Sequence, residues 1–118
     1  MSAESTLYGI LSGNAGVTAL VGTRIYPDLV PENVATPYIG YERIGSSAYA
    51  TIHGTKLSDD VQMMIACWAD TKLAAEALAD AVEAAMLAAG EIYTARGREL
   101  DDATNRSAAT LDYTLLIQ

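Results

Sequence analysis

Residues 20–41 read LVGTRIYPDLVPENVATPYIGY, and they hold every proline of the chain: Pro27, Pro31 and Pro37. Proline fixes φ and removes a backbone hydrogen-bond donor. This stretch therefore predicts a helix that ends at Gly22 in the left-handed conformation and a strand over residues 24–26 that must be brief or lie at an edge. A rigid loop and a second strand over residues 38–44 are predicted to follow. Because Gly40 interrupts the second strand, a β-bulge or the close approach of another backbone is expected there. The stretch contains no catalytic arrangement, so its role is architectural.

Two short helices are predicted before this stretch. Ser2 can cap the first, over residues 3–11, and Asn14 can cap the second, which ends at Gly22. Apolar residues recur at helical spacing in both: Leu7, Ile10 and Leu11 in the first, and Val17, Leu20 and Val21 in the second.

The segment that follows the second strand predicts an arm and then a central strand. Residues 45–57, GSSAYATIHGTKL, are rich in Ser, Thr and Gly and are longer than a tight hairpin requires, which favours a projecting hairpin arm or a mobile loop. Residues 60–69 carry apolar side chains on both alternating faces, which is typical of a strand in the middle of a sheet.

A long helix and two strands complete the predicted fold. Asp70 or Thr71 can cap a helix that runs to about residue 89, with Gly90 as its stop. Its apolar positions are Leu73, Ala77, Leu78, Ala81, Val82, Ala85 and Met86, and its opposite, solvent-facing side is expected to carry Lys72, Glu76, Asp80 and Glu83. Strands are predicted over residues 92–100 and, from a clear alternation that Leu116 alone interrupts, over residues 109–118. The whole chain, residues 1–118, is thus expected to be one α+β domain, with a mostly antiparallel sheet of four to five strands packed by the long helix.

Composition argues against several functional classes. Fifteen acidic and seven basic residues give a net charge of −8, which opposes the counterion release that drives most nucleic-acid binding. The single cysteine, Cys67, lies in an apolar run and is expected to be buried and inert. The single histidine, His53, lies on another segment, so we predict no catalytic residues, no metal site, no cofactor and no enzymatic activity. Polar residues and glycines interrupt the uncharged residues 5–23, and Glu4 replaces the basic start of a signal peptide, so neither membrane insertion nor export is expected.

Two groups of residues are candidates for an interface with another subunit or a partner protein. Tyr49, Ile52 and His53 lie in an arm otherwise made mostly of small polar residues. Arg96 and Arg98 lie among Glu91, Glu99, Asp101 and Asp102, so salt bridges within or between subunits are expected in preference to phosphate binding.

Sequence motifs along most of the chain form one family pattern. They are residues 20–27 (LVGTRIYP), Thr36, Pro37, Tyr38 and Tyr41, the segment 54–69, the Ala69, Asp70, Thr71 entry into an alanine-rich helix, and Arg106 with Tyr113. Together they resemble the tail completion proteins of long-tailed bacteriophages, the tail terminator or tail-to-head joining group.

That resemblance implies a virion structural protein that is assembled in the host cytoplasm. It implies a hexameric ring at the head-proximal end of the tail, which caps the tail tube, stops its growth and joins it to the neck. The implied partners are further copies of the chain, in solution or only on the tube, the major tail tube protein, and a neck or head completion protein. DNA would cross the channel without specific binding.

Two alternatives to the terminator stay open at this point. One is another head-tail connector or minor tail component. The other is a small ligand-binding or regulatory α+β domain in which Trp68 and the tyrosines line a pocket.

Overall fold

A computed structural model, which describes residues 3–27, 34–50, 56–101 and 106–117, shows an α+β fold with three helices and a five-stranded mixed sheet. The helices are α1 (Ala3–Ser12), α2 (Ala15–Val21) and α3 (Lys72–Ala88), and the strands are β1 (Ile25–Pro27), β2 (Tyr38–Ala50), β3 (Lys56–Ala69), β4 (Ala95–Asp101) and β5 (Arg106–Ile117). The sheet order is β1-β2-β3-β5-β4, and only the β1–β2 pair is parallel. The predicted fold class and element order are confirmed, with β3 in the centre of the sheet.

The connection from α2 into the sheet follows its local signals closely. The Val17 N–H donates to Asn14 Oδ1 at 3.1 Å, which confirms the predicted cap of α2. Gly22 has φ +60° as expected, but its ψ of −120° lies outside the left-handed helical region predicted for it. Leu20 does not lie on the apolar side of α2, since its side chain is 41% exposed. The predicted cap of α1, Ser2, lies outside the described residues.

β1 is a three-residue edge strand that ends at Pro27, as predicted. Of the two alternatives predicted for Gly40, the bulge is wrong, because Gly40 pairs in register with Tyr26 on one side and with Ala66 on the other. The register shift instead falls between Arg43 and Gly45, just beyond the end of β1. A strand with one free edge can bend there without breaking a second ladder.

The predicted arm is a hairpin whose first part belongs to the sheet. The β2–β3 ladder continues through Ala48 opposite Asp59, and β5 runs beside β3 as far as Asp59. Only the pairing of Tyr49 and Ala50 with residues 56–58 extends past β5 in the described chain. Residues 51–55 lie outside the described residues.

Helix α3 covers one face of the sheet. Thr71 caps it by accepting the Ala74 N–H at 3.1 Å, and Gly90 follows it at φ +87°. Its buried residues are Ala75, Leu78, Ala79, Val82, Ala85 and Met86. The predicted apolar positions are therefore wrong in the first two turns of α3. Leu73 is 82% exposed and Ala77 is also exposed, whereas Ala75 and Ala79 are buried.

The last two strands differ from prediction at their starts. β4 begins at Ala95, and Ile92 and Tyr93 before it are exposed. β5 begins at Arg106, three residues earlier than expected, and then alternates as predicted, with Leu116 exposed. In the part of the chain that the structure describes, no helix combines the length and apolar character that crossing a membrane demands.

Candidate interaction surfaces

The two faces of the sheet differ in what covers them. One face, the helix face, lies under the three helices and carries the core, including Ile39, Met63, Ile65, Leu111 and Tyr113. The opposite face, which we call the open face, has no helix of the described residues on it. Its positions alternate with the core residues along each strand, and they range from buried alanines to exposed polar side chains. The open face is therefore a surface available for interaction.

The helix face carries a cluster of ion pairs between β4 and α3. Arg96 contacts three carboxylates of α3, those of Glu76 at 2.9 Å, Asp80 at 3.0 Å and Glu83 at 3.0 Å. Arg98 adds a contact of 3.1 Å to Glu76. These acids are four and three residues apart, so they lie on one side of α3 and face the strand.

Partial burial shapes the electrostatics of this cluster. Burial acts to lower the pKa of Arg96, but the hydrogen bonds that Arg96 donates to Asp80 and Glu76 outweigh it and leave that pKa above its ordinary value. Burial, assisted by the nearby charge of Glu83, raises the pKa of Tyr113 to about 12. Both groups therefore keep their protons at neutral pH. The ion pairs of Arg96 and Arg98 with α3 connect β4 to the helix, and we call this cluster the clamp.

A second ion pair ties β2 to the N-terminal helix. The Arg43 guanidinium donates to both carboxylate oxygens of Glu4, at 2.6 and 3.0 Å. This hydrogen bonding lowers the pKa of Glu4 from its usual value. Two arginines of the sheet edges, Arg43 and Arg96, are thus each neutralised by acids of the helical layer.

The open face is acidic. Four of its described residues are carboxylates, one on each of the strands β2, β3, β4 and β5: Glu42, Asp60, Glu99 and Asp112. Its described basic side chain is Arg106, whose guanidinium carbon lies 5.8 Å from the centre of the Tyr38 ring. Tyr38 in turn stacks on Trp68, with ring centres 6.4 Å apart. The excess of negative charge distinguishes this face from the ion-paired helix face.

No deep pocket is associated with Trp68 in the described residues. It borders a shallow hollow of about 180 Å³ on the open face, together with Gly40, Met64, Ala66 and Glu99. Small-molecule sites more often measure about 300–1,000 Å³. The hollow gives little support to a ligand-binding function.

The predicted interface residues have different outcomes. Arg96 and Arg98 form salt bridges within the subunit, with acids of α3 in place of the acids beside them in sequence. Tyr49 lies in β2 opposite Ser58, and its side chain is not among those described. Ile52 and His53 lie outside the described residues. An interface role for all five stays a prediction.

The acids of α3 are the residues that sequence reasoning missed. Glu76, Asp80 and Glu83 were expected on the solvent side of the helix, away from the sheet. Their spacing was a usable signal, because an acidic stripe on one helix face matches the alternate arginines of a strand. The acids of α3 could not be paired with the arginines of β4 from sequence, because the sequence does not show that β4 lies beside that face of the helix.

Cys67 has the inert character expected of it. It is fully buried in the core, and burial raises the pKa of its thiol to about 12. The thiolate is the nucleophilic form, so this thiol is unreactive at neutral pH. Among the described residues, no three His, Cys, Asp or Glu side chains form a group that could hold a metal ion.

Comparison with known proteins gives a family and a fold. Residues 5–118 match the protein family described as Tail completion protein gp17. A solved structure, described as the virion of a native gene transfer agent particle, contains a chain that is similar with a TM-score of 0.77. The identity is 19%, over 98% of this chain and 94% of that chain, so this likeness shows a shared fold. A search of curated proteins finds no match.

Proposed function

This chain belongs to the tail completion protein gp17 family and is a structural protein of the virion tail, and we propose that it acts as a hexameric ring that caps the tail tube. In this role it ends tail growth and joins the tail to the head. Its partners are other copies of itself, the major tail tube protein and a neck protein. Shape complementarity suffices for such a role, and no cofactor is needed.

The observation that carries this proposal is the charge of the open face. Glu42, Asp60, Glu99 and Asp112 outnumber Arg106 there, whereas Arg43, Arg96 and Arg98 are ion-paired on the helix face. A wall with this charge, turned toward a channel, repels the phosphates of DNA and disfavours sticking. We therefore place the open face toward the channel and the helices on the outside of the ring.

The hairpin of β2 and β3 supplies the contact with a neighbouring subunit or the tube in this proposal. In the described residues its ladder continues past the end of β5, through the pairs Tyr49–Ser58 and Ala50–Lys56. Tyr49, Ile52 and His53 of this hairpin are the proposed interface residues. Arg96 and Arg98 act at the interface through β4, which they fasten to α3.

Electron microscopy of the purified protein mixed with tail tubes tests capping. Tubes of the same phage, assembled without the protein, should acquire a ring at one end and stop growing. The variant that lacks residues 47–55 should fold but should cap fewer tubes, because it loses the hairpin tip. Tubes that carry no bound protein, and whose length stays uncontrolled, would contradict the proposal. Binding to the neck alone would indicate a connector instead.

A charge variant tests the orientation of the open face. Replacing Glu42 and Asp112 by lysine should leave capping intact but reduce DNA delivery by particles about tenfold, since cations in the channel would hold phosphate. The isosteric variant Glu42→Gln with Asp112→Asn is the matched control, and its loss should be smaller. Unchanged delivery by the lysine variant would show that this face does not line the channel.

A further inference from the structure

The sheet has two open edges in the described residues. On one side, β1 covers β2 only from Ile39 to Tyr41, which leaves residues 43–50 of β2 without a neighbour on that side. On the other side, β4 pairs with β5 along its whole length and has no neighbour beyond it. Such edges present unpaired backbone groups that can bond to another strand.

The hydrogen-bond pattern shows which backbone groups point outward from β2. The Ile39 N–H donates to the Arg24 carbonyl at 2.9 Å, so the backbone of Ile39 faces β1. Because backbone direction alternates along a strand, and because the register skips one residue at the bulge after Arg43, the outward positions are those of Arg43, Ser46 and Ala48.

The same alternation, carried across β3 and β5, fixes the outward groups of β4. Ala95, Gly97 and Glu99 exchange bonds with β5, so the N–H and C=O groups of Arg96, Arg98 and Leu100 point away from the sheet. Each edge therefore offers three residues with outward backbone groups. The bulge adds one residue between Arg43 and Ser46, but the outward residues of β2 lie opposite Met63, Val61 and Asp59, so their two-position intervals along the ladder match those of β4.

Strand direction and side-chain orientation also match. β4 runs antiparallel to β2, because two antiparallel steps place β5 parallel to β2 and a third reverses the direction. Arg43 and Arg96 both direct their side chains to the helix face, where each contacts an acid of a helix. Antiparallel pairing of the two edges would therefore keep the helix faces of both sheets on the same side.

Each edge also exposes one large apolar side chain. Ile44, at the bulge of β2, is 55% exposed, and Leu100, near the end of β4, is 62% exposed. A long, exposed edge with an apolar residue is a site at which strands associate. Burying Ile44 and Leu100 at one junction would remove both from water.

We propose that the two edges pair with each other between copies, so that β4 of one subunit forms an antiparallel ladder with residues 43–48 of β2 in the next. This rests on the ring proposed above and identifies the contact that builds it. The interface joins two different surfaces of the same chain, and such head-to-tail contacts close into a ring when the rotation between copies permits. Within one copy the two edges are three strand spacings apart, about 14 Å, so they cannot pair with each other.

Disulfide trapping tests this contact directly. In a Cys67→Ala background, Ser46→Cys is combined in turn with Arg96→Cys, Arg98→Cys and Leu100→Cys, which together cover three registers. Directly opposed residues of a hydrogen-bonded antiparallel pair lie about 5.5 Å apart, which suits a disulfide. One combination should give crosslinked oligomers up to the full ring on oxidation. Ser46→Cys with Leu87→Cys, on the exposed end of α3, is the control and should give none.

A proline substitution tests the backbone bond. Ser46→Pro removes an N–H that points away from β3 and so spares the internal ladder, whereas Ser46→Ala keeps that N–H. The proline variant should need about a tenfold higher concentration to cap half of the tubes, equivalent to about 1.4 kcal/mol, and the alanine variant should behave like the parent. Circular dichroism of both variants is the control, and it should show that both fold.

The outcomes separate this inference from the proposed function. Rings that form with no crosslink in any of the three combinations, and that tolerate Ser46→Pro, would overturn the edge pairing while the ring stands. Crosslinks that join the protein only to the tube subunit would also overturn it, since the edge would then bind a different partner. Failure of the unmodified protein to form any ring on tubes would overturn the proposed function and the pairing together.

Discussion

The ion cluster around Arg96 allows a quantitative prediction about what holds β4 in place. Replacing Arg96 by methionine keeps much of the aliphatic stem but removes the cation shared by three carboxylates. The Arg96 side chain is 22% exposed, and its partners range from Glu76 at 29% to Asp80 at 72%. Exposed ion pairs contribute up to about 1 kcal/mol each, and breaking a buried pair costs about 3–5 kcal/mol. Since this cluster is half-buried, we expect a loss of about 2 kcal/mol in unfolding free energy.

Urea unfolding of the monomer measures this loss. With an m-value of about 2 kcal/mol per molar, the midpoint should fall by about 1 M. The difference between parent and variant should shrink at about 1 M salt, where the screening length is only about 3 Å. Arg98→Met is the matched control: Arg98 is 57% exposed and, among the described residues, forms one ion pair, with Glu76, so about 0.5 kcal/mol is expected. If Arg96→Met costs no more than Arg98→Met, the clamp is not a source of stability and the reasoning is wrong.

Three further substitutions test individual features of the fold. Gly22→Ala should lower the unfolding free energy by about 1–2 kcal/mol, measured by thermal unfolding, because φ at this position is +60°. A Cβ added there would meet no atom within 4 Å, so the cost comes from the backbone conformation. Gly45→Ala is the control: that site is equally open and has no positive φ, so the change should cost little. Tyr113→Phe should raise the unfolding free energy by about 1 kcal/mol, because the buried hydroxyl has no partner among the described residues. The pKa of Glu4 is lowered in the folded state, so its bond to Arg43 stabilises above the usual carboxyl pKa and fades as pH falls. The Glu4→Gln variant should thus be less stable than the parent at pH 7, and this difference should shrink as the pH falls below the usual carboxyl pKa.

The predictions from sequence are correct where a structural feature depends on one residue and its neighbours in the chain. The Asn14 cap, the positive φ at Gly22 and the end of β1 at Pro27 each depend on one residue and its immediate neighbours. The alternation of β5 needs only one buried face, and it was read correctly down to the exposure of Leu116. The fold class followed because these local signals give the order of the elements, and that order leaves few ways to cover a sheet.

The predictions from sequence are wrong where the environment of a residue is set by a helix or strand that packs beside it. Leu73 is apolar and at helical spacing, yet it lies in the first turn of α3, past the edge of the surface that the helix covers. Gly40 looked like a bulge, but strands on both sides hold it in register. The partners of Arg96 and the acidity of the open face could not be predicted from sequence for the same reason, because both depend on which elements lie side by side.

The arrangement of charge links the fold to the proposed ring. The chain has seven basic residues, and three of the arginines, Arg43, Arg96 and Arg98, are bound to acids on the helix face. Those ion pairs join strands to the helical layer that would form the outside of the ring, whereas the described side chains of the open face carry four carboxylates and one arginine. Pairing β4 with β2 of the next subunit would bring successive open faces into one continuous wall. Edge pairing and the proposed channel charge would therefore be coupled, because the same alternation that turns the edge arginines toward the helices turns the carboxylates toward the open face.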